Sequence, residues 1–588
     1  MTSEPRQLLT RHFLRRLIDD DLISPNADRH ESLSMICAML ASLGLFASVI
    51  ISMRYLFNPF LTPGVTAVSA LFDQLLFVSA AMTAAALVTV LAWDGLAVDA
   101  RDASVLGAMP LRTRTIVGAK FGALIRFSAM FACALNLAPS VLSPALMVSK
   151  LPLSFLQLVM LILAHAATVL LASAFGFFAV LAIRGVLTVA LGRRLFRRIS
   201  AAVQTTLLVC VACAFLLLPV VVSRINRAWM EPQSRAALMA PPLWFVGLHE
   251  VAVGDIIANL PRNSQRLPPR IADADVRAAA LYRRARVTFP ELAATALIKI
   301  TAVATLAVLL FAWNNRRMVP PPPAGATAGW VRRAFVVAAR TMVRHPETQA
   351  SFFFTVQTLF RSAQHRLTIA AALAFGLTAA VFSVAVGSAA RARGGEALTA
   401  GVLAVSPVIV AALLAGFRHA VRVPAELAAS WAVQVAWLGD TRRHIAGAKA
   451  AGALLFVLLP VAALWPFYAV MFSPRDATWI AICTSAGGLV VLETVFLGYH
   501  KLPFTCGYLP GDLKTLAPIV FAAFCFCTYQ FAHIERALLQ SGDEAALAAV
   551  LLGLFGALRV GDAVRRRHPQ PFEFDEMPAP PTQRLGLS

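Results

Sequence analysis

Residues 93–124 read WDGLAVDARDASVLGAMPLRTRTIVGAKFGAL. One long apolar run ends at Trp93 and another begins near Phe121. Between them stand Asp94, Asp99, Arg101, Asp102, Arg112, Arg114 and Lys120, so a polar, partly helical segment is held between two membrane spans. A related stretch, LGDTRRHIAGAKAAGAL, occupies 438–454. Ile445-Ala-Gly-Ala-Lys449 echoes Ile116-Val-Gly-Ala-Lys120, with the two lysines 329 residues apart. A basic loop that returns directly into the membrane, used twice, points to a docking surface for a cytoplasmic partner. The alternative is an ordinary basic loop of the kind that multispanning proteins keep on the cytoplasmic side.

Composition extends this reading to the whole chain. Of 588 residues, 59% are hydrophobic and 14% charged, against roughly 25% charged in a soluble domain. Many apolar runs reach the about 20 residues that a crossing helix needs. The fold class is therefore all-α, a polytopic membrane protein. The net charge of +22 belongs to loops that face anionic headgroups and does not call for nucleic acid. The first 32 residues lack the apolar core of a cleavable leader.

About twelve spans are expected: 33–57, 71–93, 121–148, 155–183, 201–222, 292–313, 367–386, 398–417, 451–472, 479–497, 516–532 and 545–560. Pro139 and Pro144 interrupt the third, and Pro460 and Pro466 lie in the ninth. Five regions result. Residues 1–32 form a cytoplasmic interfacial helix, with Leu9, Phe13 and Leu17 on one face and Arg11, Arg15 and Arg16 toward lipid phosphates. Residues 33–313 form a six-helix half with a long outer loop at 223–290. Residues 314–366 form a linker containing MVPPPPAGATAG, which cannot be helical. Residues 367–562 form a second six-helix half, and 563–588 a polar tail. Even spans per half imply a parallel repeat, and both termini lie in the cytoplasm. The aromatic stretch PPLWFVGL, 241–248, reads as an outer gate, an interfacial helix or a packed loop.

Catalytic signatures are missing from the sequence. It has no GxxxxGK[ST] phosphate loop, no HExxH and no GxSxG. Cys210 and Cys213 have CxxC spacing but lie within a span, and buried Cys behaves as a small hydrophobe. No cofactor or metal is expected. Ionisable residues within spans are few, and an intramembrane charge is a functional candidate by default. Lys299 has a place either on a substrate path or in a structural ion pair. Glu493, toward the inner end of its span, and His165 are also candidates for the substrate path. His165 is read as a core histidine or a proton relay, and Arg126 as a snorkelling side chain.

The segment from Trp93 to Lys120 resembles the one after the second span in type 2 ABC-exporter permeases. There an acidic start and a turn of the form L-x-x-x-P-hydrophobic-basic precede a Lys that opens the third span. Here these are Asp94, Asp99, Asp102, then Met109-Pro110-Leu111, Arg112 and Arg114, then Lys120. The interfacial helix before the first span is also similar. PPLWFVGLHEVAVG and LPFTCGYLPG look like stretches of long bacterial members. The resemblance implies a permease in the bacterial inner membrane that contacts a cytoplasmic ABC ATPase dimer through this segment and, in the second copy, through Arg442, Arg443 and Lys449. ATP hydrolysis would belong to that separate subunit, and export would follow from movement of one half against the other. Membrane lipids are the other expected partners. Two departures stand out. Family permeases commonly have six spans and dimerise, and the second copy has Trp437-Leu438-Gly439 where the first has its proline. A secondary transporter, or a membrane scaffold or biogenesis protein without transport, remains the alternative.

Overall fold

A computed structural model describes residues 3–19, 29–58, 61–98, 100–107, 109, 111–148, 150, 153–222, 239–258, 268–316, 336–337, 340–341, 343–391, 397–425, 441–497, 499, 502–505 and 517–565. Among these the chain is helical, without a strand, and eleven stretches are long and apolar enough to cross a membrane. It is a multi-pass membrane protein. The expected span at 516–532 corresponds to the helix Ala517–Ser541, in which the side chains of 517–526 are outside the described residues. The chain divides into two compact units, 1–324 and 325–588.

In the first unit α1 is Ser3–Asp19, α2 Arg29–Phe57, α3 Pro63–Leu91, α4 Ala100–Gly107, α5 Thr113–Met147 and α6 Phe155–Leu216. They are followed by α7 Pro241–Ala258, α8 Pro269–Arg286 and α9 Phe289–Asn315. The pairs α2 with α5 and α3 with α6 form its frame. The core is the face shared by α3, α6, α7 and α9: Leu71, Leu75, Val78, Val169, Leu243, Phe245, Val246, Phe289 and Leu292. Pro139 and Pro144 do not interrupt α5. Between and beside them polar side chains bond back to the same helix, Asn136 Nδ2 to the Ala132 carbonyl and Ser140 Oγ to the Asn136 carbonyl.

α6 contains both the expected fourth and fifth spans, within the stretches Phe155–Phe196 and Arg198–Leu216, and its helical course is broken at Gly192. Ser154 and Gln157 close a capping box at its start. It bends at Gly192, whose φ of +70° is accessible to glycine at little cost. The expected outer loop is helical where described. Its apolar part is α7, inserted against α9, α6 and α3, and α8 lies on α3. PPLWFVGL therefore buries Leu243, Phe245 and Val246 in the core.

The second unit contains α10 Pro346–Arg361, α11 Ala363–Arg391, α12 Ala397–Leu403, α13 Val405–Arg422, α14 Thr441–Gly452, α15 Leu459–Met471, α16 Pro474–Val495, α17 Ala517–Ser541 and α18 Glu544–Arg565. A π-helical stretch, Ala453–Leu458, joins α14 to α15 directly before Pro460. Proline removes a donor and clashes with the carbonyl one turn back, and a widened turn accommodates it. The core gathers Ile409, Val410, Leu413, Leu414, Phe417, Phe456, Val457, Leu492 and Phe496 from α13, the π stretch and α16.

Candidate functional site

The segment that links α3 to α5 is braced at its root. Trp93 is fully buried, its Nε1 donates to Ser200 Oγ at 2.9 Å, and the Arg184 guanidinium lies 5.6 Å from its ring. A 3-10 turn, Asp94–Leu96, follows, and the Val98 amide donates to Asn315 Oδ1 at the end of α9. That end is itself held to α6, since Arg193 donates to the Asn314 carbonyl and Asn314 Nδ2 to the Gly185 carbonyl. Asp102 on α4 is buried and pairs with Arg16 of α1, with His12 Nε2 4.0 Å away. A tight turn closes between Met109 and Leu111, the Leu111 amide donating to the Met109 carbonyl at 2.7 Å.

What this segment exposes differs from the sequence expectation. Leu111 is half-buried, whereas Val105 is 58% and Met109 47% exposed. Arg112, Arg114 and Asp94 are also exposed. Asp99 and Pro110 lie outside the described residues. Lys120 is 3% exposed and stands 5.1 Å over the ring of Phe13, so its side chain is turned into the unit. Val105 was missed because one apolar residue in a short polar helix carries no pattern of its own.

The recurring motif has the same burial in both copies. Ile116, Ala119 and Lys120 are buried, and so are Ile445, Ala448 and Lys449. In each unit that face receives an amphipathic helix of the same unit, α1 on α5 and α10 on α14. A Cβ at Gly447 would lie 2.4 Å from the Thr348 carbonyl oxygen and 2.7 Å from Ser351 Cβ, so α10 approaches to backbone contact. Ser351 Oγ donates to the His444 carbonyl at 2.6 Å, and Arg443 pairs with Glu347 at 3.1 Å. Arg442 is exposed. The repeat is thus a helix-packing face. The sequence signal for α10 was present: Pro346 at its start and Phe352, Val356 and Leu359 along one face.

Lys449 and Glu493, assigned to different roles from the sequence, meet at 2.5 Å. Lys449 also pairs with Asp562 at 2.8 Å, and Arg559 lies 3.9 Å from Glu493. Two acids and two bases thereby join α14, α16 and α18. His165 is buried, edge-on to Phe77 at 5.5 Å, with its ring 6.3 Å from His249. His249 Nδ1 is 2.9 Å from Glu250 Oε1, and the Tyr282 hydroxyl donates to Glu250 Oε2 at 2.6 Å. Burial, followed by the neighbouring Glu250 carboxylate, pushes the Tyr282 phenol up, so it remains a donor. A second buried set joins α2 to α3: Asp73 accepts from the Tyr55 hydroxyl at 2.5 Å and pairs with Arg54. Neither set was legible, because the partners come from separate helices. Lys299 is exposed on α9 beside exposed Leu297 and Ile298.

Among the described residues, no group of three or more His, Cys, Asp or Glu could hold a metal ion. No known protein family, characterised protein or solved structure matches the chain.

Proposed function

We propose that the chain is the transmembrane permease of an ABC-type exporter in a bacterial inner membrane, driven by a separate cytoplasmic ATPase dimer. The observation that carries this reading is the exposed set Val105, Met109, Arg112 and Arg114 on a segment whose root is buried. An element that passes on a partner's motion has to be stiff, because a loose loop would absorb it. Here the push would arrive at α4 and the Met109 turn and leave through Trp93 into α6 and through Val98 into α9. The apolar pair supplies contact area, and the two arginines select an acidic rim on the ATPase. The resemblance of residues 93–120 to the matching segment of type 2 exporter permeases supports the same reading.

The test is co-purification in detergent from the native membrane, with any ABC ATPase that co-elutes identified by mass spectrometry. The wild-type chain should retain the ATPase. A Val105→Asp, Met109→Asp double variant should lose it while keeping its helical circular dichroism. Equal retention by both would remove the docking role of this segment, and no retention by either would remove the exporter reading.

A further inference from the structure

Glu535 lies on α17, three residues after Ala532 and four before Leu539. Ala532 is fully buried in a cluster with Leu403, Tyr468 and Ile480, and Leu539 packs on the same cluster. The i, i+3, i+7 spacing puts Glu535 on that inward face. It is 2% exposed, and among the described residues neither carboxyl oxygen has a hydrogen-bond partner. The cluster surrounds a helix break: α12 ends at Leu403 and α13 starts at Val405. At the break the Tyr468 hydroxyl lies 3.2 Å from the Val402 carbonyl oxygen and 3.1 Å from Ser406 Oγ, and accepts from the Ser406 amide at 3.0 Å. Ser406 Oγ in turn meets Thr484 Oγ1 at 3.1 Å.

The charged and titratable neighbours do not neutralise Glu535. Tyr468 and Cys483 are near enough to feel its charge, and both are neutral or anionic groups. Glu544, also near Cys483, is another acid, and its partner Arg475 is 3.5 Å from it and 76% exposed. His533 and Arg536 stand on α17 itself, two residues before and one after, away from the i, i+3, i+7 face. A lone carboxylate charge is costly in such surroundings. Either a proton or a bound cation removes that cost. A hard metal cation takes about six oxygen ligands, whereas the hydroxyls and carbonyls at this break already satisfy one another.

We propose that Glu535 is a proton-binding site of the second unit, neutral while α17 is closed on the break between α12 and α13. Losing the proton would leave a charge that the closed packing cannot hold, so release of the proton accompanies movement of α17 away from the break. This assignment is independent of ATPase docking.

The full chain in lipid nanodiscs tests it by infrared difference spectroscopy between pH steps, together with thermal unfolding. The wild type should show a protonated-carboxyl band that disappears as pH rises, and Glu535→Gln should lack it. Because the folded state holds the extra proton, wild-type stability should fall with rising pH, and the Gln variant should be flatter over the same range. A band that survives in Glu535→Gln overturns the proposal. So does a rise in unfolding temperature when sodium replaces choline at constant ionic strength, if Glu535→Gln abolishes it, since the ligand is then a metal cation. If Glu535→Gln fails to fold while Glu535→Asp folds, the negative charge is required and the proposal also fails.

Discussion

Asp102 shows how one residue can serve as both a sequence signal and a structural tie. Its acidity marked the segment as polar, and its burial beside Arg16 fixes α4 to α1. Removing Arg16 leaves a buried carboxylate without its main partner, which costs about 1–3 kcal/mol. Arg16→Ala should therefore lower the unfolding temperature of the full chain in detergent, and Arg16→Ala with Asp102→Asn should recover part of the loss. Exposed neighbours should behave in the opposite way. Val105→Asp should leave the unfolding temperature unchanged yet weaken ATPase binding by about 2 kcal/mol, roughly thirtyfold. Leu111→Ala should weaken it less, because Leu111 is half-buried. Tyr282 offers a third case. Its hydroxyl donates to a buried Glu250 oxygen, and its raised ionisation keeps that proton in place. Tyr282→Phe leaves the acceptor short of a donor and should destabilise by about 1–3 kcal/mol.

At the scale of elements, the two copies of I-x-G-A-K differ in how closely the amphipathic helix approaches. Gly447 faces the α10 backbone, where a Cβ would fall 2.4 Å from a carbonyl oxygen. The nearest atoms to a Cβ at Gly118 belong to the Arg6 guanidinium at 3.9 Å, the far end of a flexible side chain. Gly447→Leu should therefore displace α10 and open the second unit to limited proteolysis near residue 361, whereas Gly118→Leu should be tolerated. Equal sensitivity of the two would contradict the packing described. The ionic cluster adds a second element-scale expectation. Lys449→Met leaves the buried Glu493 and the half-buried Asp562 without their shared cation, and breaking a buried pair costs about 3–5 kcal/mol. The unfolding midpoint of Lys449→Met should fall markedly more than that of Arg442→Met, whose side chain is exposed.

For the molecule as a whole, the expected topology puts α8 outside and the start of α5 in the cytoplasm. In a cysteine-free background, Arg270→Cys should react with an impermeant thiol reagent in intact cells, and Arg114→Cys only after permeabilisation. Both positions are exposed and helical, so a difference reports the membrane side rather than burial. Reaction of Arg114→Cys in intact cells would invert the topology and remove the proposed ATPase-facing role of α4.

The sequence by itself determined that the chain is a helical, multi-pass membrane protein, because runs of about 20 apolar residues have few other stable forms. It also marked residues 93–120 as distinct, since seven charged residues between two such runs cannot lie within the bilayer core. Pro346 and the face of Phe352, Val356 and Leu359 mark α10 as an amphipathic helix, but a periodic face does not say which helix receives it, and α7, with apolar residues on every side, has no period that would place it in the core. Pairings were decided only by tertiary structure. Lys449 meets Glu493 across 44 positions, Tyr282 meets Glu250 across 32, and Trp93 meets Ser200 across 107. A buried polar group must find a partner, but sequence spacing does not say on which helix. Glu535 is the converse case: only the packing around it shows that, among the described residues, its carboxyl oxygens have no hydrogen-bond partner.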